Sequence, residues 1–224
     1  MNNVMIKKTI NFKIAVSVIM LILIACVSVT AQSSENALKV VDSMALKMFN
    51  DINNRDYDAI LDMTHPKVFE IVPKESMKGI FKSMFEGNED FSIDIPEKTP
   101  EYRISEIFEI ENDTLQYAFV SYDMEMNMTF NKQEFDEASK GTMVSMMKTK
   151  GIDIDFVSDN TLAMLMRDRM TIILKDNSTN DKWVMINYDP DSPLFYQIIP
   201  SSLLEKAKEY NQNLMLQSKK ESED

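Results

Sequence analysis

What this chain has little of decides several questions at once. It carries one cysteine, one histidine, one tryptophan and four glycines. A lone cysteine, Cys26, rules out an internal disulfide framework, so any fold must stand on its apolar core. With one histidine, His65, there are too few nitrogen and sulfur donors for a tetrahedral zinc site. The scarcity of glycine goes with the absence of a phosphate-binding loop, and G-x-S-x-G, H-E-x-x-H and C-x-x-C are absent too. Lysines and arginines number 24 against 36 acids. No basic patch with interleaved aromatics occurs, and the acidic balance repels phosphate backbones and anionic membrane surfaces, which argues against nucleic acid as a partner.

The long hydrophobic run is at the start. Lys7, Lys8 and Lys13 precede "IAVSVIMLILIA", residues 14 to 25, and no acid lies among the first thirteen residues. A basic stretch followed by an apolar run of this length reads as an export signal. Two processing sites compete. "VTA" at 29 to 31 supports a signal peptide over residues 1–31 with cleavage before Gln32. "LIAC" at 23 to 26 resembles a lipobox, which would leave residues 1–25 as the leader and Cys26 as a lipidated first residue. An uncleaved anchor over 14 to 31 is the third possibility, because 18 residues is the lower end of a spanning helix. Each reading sends the chain out of the cytoplasm, to a periplasmic or extracellular location. Membrane attachment follows only if Cys26 is lipidated or the leader is retained.

With no linker or internal repeat, residues 32–216 read as a single domain, and the charged stretch 217–224 as a tail. Residues 35 to 53 place Val41, Ala45, Met48, Phe49 and Ile52 at helical spacing. A second helix covers Tyr57 to Met63 and stops before Pro66. A third opens at Pro73 and closes at Gly87. Strand alternation then takes over at 91 to 95, 101 to 111 and 114 to 130. A helix with an interrupted stripe is expected in 131 to 151, capped by Asn131 with Glu134. Further strands follow at 152 to 157, across "TLAMLMRDRMTIILKD" and in "KWVMINYD", the last two joined by a turn at 177 to 181. A final helix follows Pro200, with Ser202 and Glu205 at its cap. The fold class is therefore α+β: N-terminal helices on an antiparallel sheet, with an inserted helix and a C-terminal helix.

Helices ending in "THP" at 64 to 66, the covering helix "ESMKGIFKSMF" and the closing strands "RMTIILKD" and "DKWVMINYD" carry a resemblance. In this order they are similar to the nuclear-transport-factor-like superfamily, which includes ketosteroid isomerases and scytalone dehydratases. The resemblance spans residues 35 to 130 and 152 to 200; the insert at 131 to 151 and the C-terminal helix depart from the minimal fold. It implies a strongly bent sheet that forms a cone with the helices. No catalytic set of that superfamily maps onto this chain residue by residue, and a shared fold does not transfer an activity.

The richest candidate is "YDMEMNMTF", residues 122 to 130, in a chain with 19 methionines. Alternation puts Tyr122, Met124, Met126 and Met128 on one strand face, with Asp123 and Glu125 on the other. Core packing, which suits adaptable methionine, is the plainest explanation. A wall for a small apolar ligand is the functional one. Thioethers also select Cu(I), but methionines about 7 Å apart along one strand cannot share an ion without help from a facing element. No metal or other cofactor is expected. His65, before Pro66 at a helix end, reads as a structural or solvent-exposed residue whose cation the helix dipole favours. Asp153 and Asp155 read as a solvated strand face, and "DPDS" at 189 to 192 as a turn that lacks the rest of a calcium loop. The sequence thus favours a non-catalytic domain that binds a small apolar ligand or an envelope protein. A cavity enzyme using Asp123 or Glu125 for proton transfer is the alternative, and thioether Cu(I) binding through Met124, Met126 and Met128 is a second. Oligomeric state is open.

Overall fold

The computed structural model describes residues 34–110, 114–149, 151–190, 192 and 195–221. The leader, both of its processing sites and Cys26 lie outside the described residues. Contacts divide the chain after Val40, and the packing below concerns residues 41 onward. No helix among the described residues is long and apolar enough to cross a membrane.

The fold is α+β. Helix α1 covers residues 34–53. It is followed by α2 (Tyr57–Met63), the short α3 (Lys67–Ile71) and α4 (Lys74–Glu86). Then come β1 (Phe91–Asp94), β2 (Tyr102–Ile104), β3 (Phe108–Glu109) and β4 (Gln116–Phe130). The remainder is α5 (Glu137–Thr149), β5 (Ile152–Phe156), β6 (Thr161–Lys175), β7 (Val184–Asn187), α6 (Phe195–Ile198) and α7 (Ser201–Glu221). The seven described strands form one antiparallel sheet with two 15-residue strands, β4 and β6, as its spine. One flank of β4 pairs in turn with β1, β2 and β3. The far flank of β6 pairs with β5 and β7.

The middle of this spine is apolar on both sides. Tyr117, Phe119, Met170, Ile172 and Leu174 face α6 and α7, whereas Ala118, Val120 and Ile173 face α1, α2 and α4. Burial on both faces explains why "YAFV" and "TIIL" run continuously instead of alternating. On α7, Leu203, Ala207 and Leu214 are buried and Tyr210 lies 4.6 Å from the Phe119 ring. These positions form one helical stripe, and the helix continues past Gln217, where the sequence suggested a tail, to Glu221.

Several local expectations need correction. The single strand expected over 101 to 111 is two short strands. Ser105 Oγ accepts from the Phe119 N–H at 2.9 Å, occupying a ladder donor. Ile104 lies opposite Val120 but Phe108 opposite Tyr117, so one extra residue is accommodated between β2 and β3. Helix α5 starts at Glu137, six residues after the expected Asn131 cap; Asp136 Oδ1 accepts from Ser139 N at 2.8 Å instead. Pro73 caps α4 rather than entering its first turn. Gly87 ends that helix as expected, with φ 85° and ψ −161°. The turn at 177 to 181 is a 3-10 turn whose cap, Asp176, exchanges hydrogen bonds with Thr179.

Candidate ligand cleft

The fold leaves a gap in the sheet edge. β1 pairs with residues 127 to 130 of β4 and β2 with residues 120 to 122. On this flank Asp123 to Met126 have no strand partner, because the chain between β1 and β2 leaves the sheet. Pro96 and Pro100 belong to this connection, and proline cannot supply the ladder N–H. Lys98 Nζ reaches Glu125 at 2.9 Å and tethers the connection across the gap.

A second irregularity lies on the other flank. Tyr122 is opposite Arg169 but Met124 is opposite Met166, so β6 carries one extra residue there. Asp168 takes φ 53°, and its N–H donates to Asp123 Oδ1 at 2.9 Å. A bulge of this kind bends its strand and redirects side chains. Arg167 then turns to Asp153, with Nε to Oδ2 at 2.8 Å, and lies 3.9 Å from Asp123. Ser218 of α7 donates to Asp168 Oδ1 at 2.6 Å.

Between these two irregularities lies a cleft of about 890 Å³. One wall is aromatic. The Phe49 ring sits 5.4 Å from Tyr102 and 4.9 Å, edge-on, from Tyr122. The Tyr102 hydroxyl donates to Asp42 at 2.7 Å, and this bond pushes the phenol pKa up. Burial pushes the Tyr122 phenol up as well, and its oxygen lies 3.4 Å from Thr171 Oγ1. The polar lining includes Ser121, Arg103, Asp123 and Arg167, together with Lys98, Glu101, Glu125 and Asp168. Ser121 is 3% exposed, and its Oγ has no hydrogen-bond partner among the described residues. Buried hydroxyls are nearly always paired, so this one can engage a further polar partner. Arg103 sits directly opposite Ser121 in the ladder and has no ion pair among the described residues. Adjacent strand residues point to opposite faces. A lining that includes both Ser121 and Tyr122 therefore reaches both faces around the open stretch of β4.

The four ligand residues expected from sequence share one sheet face but not one cavity. Tyr122 and Met124 line this cleft. Met126 lines a second cavity of about 610 Å³ beside α5. Met128 lines neither; it stands opposite Ile93 and Leu162 within the apolar packing. Asp123 and Glu125, the candidate proton-transfer groups, are about half exposed and each lies beside a cation. His65 is not in the cleft. It is 1% exposed at the corner between α2 and α3, its Nδ1 accepts from Lys67 N at 3.2 Å, and its own N–H donates to Met185 O. Burial pushes its pKa down, the opposite direction from the expected dipole-stabilised cation. Among the described residues no group of three or more His, Cys, Asp or Glu is arranged to hold a metal ion. Sequence reasoning missed Arg103, Ser121 and the bulge at Asp168; the two prolines of the connection were the available signal for the gap.

Comparison with family models, with curated proteins and with solved structures finds no match.

Proposed function

We propose that this protein is an exported, non-catalytic domain of the nuclear-transport-factor-like superfamily that holds a small ligand in the cleft beside β4. One observation carries this reading. A cleft of about 890 Å³ has an aromatic wall, an orphaned buried hydroxyl and a guanidinium without an ion partner among the described residues. Clefts of this size suit small molecules, and the lining of this one is divided about evenly between apolar and polar residues. The ligand has an apolar body, which lies against Phe49, Tyr102, Tyr122 and Met124. It has one acidic group, which meets Arg103 and Ser121; a guanidinium matches a carboxylate with two parallel bonds. The element order, N-terminal helices leading into an antiparallel sheet with long central strands, supports the superfamily assignment, as does the bulge in β6. Export rests on the basic and apolar leader.

The proton-transfer alternative has less beneath it. Both candidate carboxylates face solvent beside a cation, and the histidine lies outside the cleft.

Calorimetric titration with dodecanoate and with dodecanol tests the proposal. The carboxylate should bind more tightly than the alcohol. Arg103→Gln should weaken dodecanoate about tenfold, roughly 1.4 kcal/mol for a hydrogen-bonded charge, and leave dodecanol unchanged. A wild-type protein that binds neither probe and purifies as a bare polypeptide by native mass spectrometry would remove the cleft reading and favour a protein partner at the envelope.

A further inference from the structure

We infer that the sheet face beneath α5 is a thioether site for Cu(I), separate from the cleft. Met126 and Met164 stand directly opposite each other in the β4–β6 ladder. Cβ atoms of such pairs are about 4.5–5.5 Å apart, and each sulfur is two bonds further out, so both can reach one point. Helix α5 packs Met143 and Met147 onto the same small cluster, which is built on Ile154, Leu162 and Met164. Residues four apart share a helix face, so these two thioethers come down together on the sheet pair. The obstacle along a single strand, sulfurs too widely spaced, is removed by a facing strand and a facing helix.

The distribution of methionine separates a site from general packing. Among the described residues, five of the eleven apolar side chains in this cluster are methionine. The core under α6 and α7 has two of 22, and the core under α1 seven of 26. Helix α5 has no buried residue, so it rests on the sheet as a light cover. The second cavity, lined by Met126, Met164, Val144 and Lys148, gives an ion access from solvent. An uncharged thioether set selects a soft ion.

The test is a titration of the purified protein with Cu(I) under ascorbate, in competition with bicinchoninate. One equivalent should bind. The doubles Met126→Leu/Met164→Leu and Met143→Leu/Met147→Leu should each weaken binding at least tenfold. Met215→Leu, on exposed α7 surface, should change nothing. Methionine to leucine roughly conserves volume, and circular dichroism with urea midpoints checks the fold of each variant. Should a double fail to fold, ¹³C-methyl spectra of the wild-type protein with Ag(I) decide, and the methyls of these four residues should move first. No uptake by the wild type would overturn the inference. So would either double retaining full affinity, or Ag(I) moving other methyls instead.

Discussion

Replacing Gly87 by alanine should cost roughly 2 kcal/mol, within a span of about 0.5–4 kcal/mol. Gly87 closes α4 at φ 85° and ψ −161°. That region is essentially closed to residues with a Cβ, and occupying it costs about 1–3 kcal/mol. A Cβ there would also lie 2.3 Å from the Phe91 carbonyl oxygen. This oxygen already accepts from Asn88 N at 2.6 Å, so moving it away endangers a turn bond worth roughly 0.5–1.5 kcal/mol. Against these, alanine restricts the unfolded chain and returns about 0.4–1 kcal/mol. Gly79 and Gly141 supply the contrast. Both lie inside exposed helical turns, and a Cβ at either meets nothing within 4 Å. Alanine at each should stabilise by about 0.5–1 kcal/mol. Urea unfolding followed by the fluorescence of the single tryptophan, Trp183, reads all three variants. In a thermal scan about 2 kcal/mol would lower Tm by roughly 4–8 °C for a chain of this length. The reasoning is refuted if Gly87→Ala lies within about 0.5 kcal/mol of wild type, or if Gly79→Ala destabilises as much as Gly87→Ala.

Ser121→Ala should leave stability unchanged or raise it by about 1 kcal/mol, because it removes a buried hydroxyl that has no partner among the described residues. The same variant should lose affinity for dodecanoate, so a variant that is both less stable and equally good at binding would contradict the cleft assignment. His65 predicts a pH dependence. Its folded pKa is depressed by burial, so its contribution is complete above the unfolded value near 6.5 and is lost as pH falls through the folded one. Within that window the loss approaches about 1.4 kcal/mol per pH unit. His65→Asn keeps an acceptor for Lys67 N and should flatten the stability profile measured by urea unfolding between pH 8 and 5; parallel profiles for the two proteins would refute the assignment.

The helices were readable because their apolar residues recur at helical spacing and their ends carry proline or glycine. Strands β4 and β6 were readable from long runs of branched and aromatic residues, and the face shared by Tyr122 and the methionines from simple alternation. What escaped depends on partners distant in sequence. Nothing local in "EYRISEIFEIE" reveals that Ser105 occupies a ladder donor of Phe119. The Asp136 cap was hidden by a better-looking motif at Asn131, and the difference is made by Phe135, which is held between Phe130 and Phe156 and fixes where the helix enters. His65, before Pro66 at a helix end, read as structural or solvent-exposed; that it is the buried, structural case comes from β7, more than a hundred residues away in sequence. Arg103 and Ser121 became candidates only when the ladder placed them opposite each other.

The spine of the sheet also sets an order of events. β1, β2 and β3 pair with β4 alone, and the other flank of β4 is filled by β6, which ends at Lys175. A chain emerging from the ribosome cannot complete the β4–β6 spine until that residue is free, and β7 joins the sheet later still. Such late, long-range pairing slows folding. During that interval the buried stretch "YAFV" is exposed and sticky, so a partner that shields it would determine the yield of native protein.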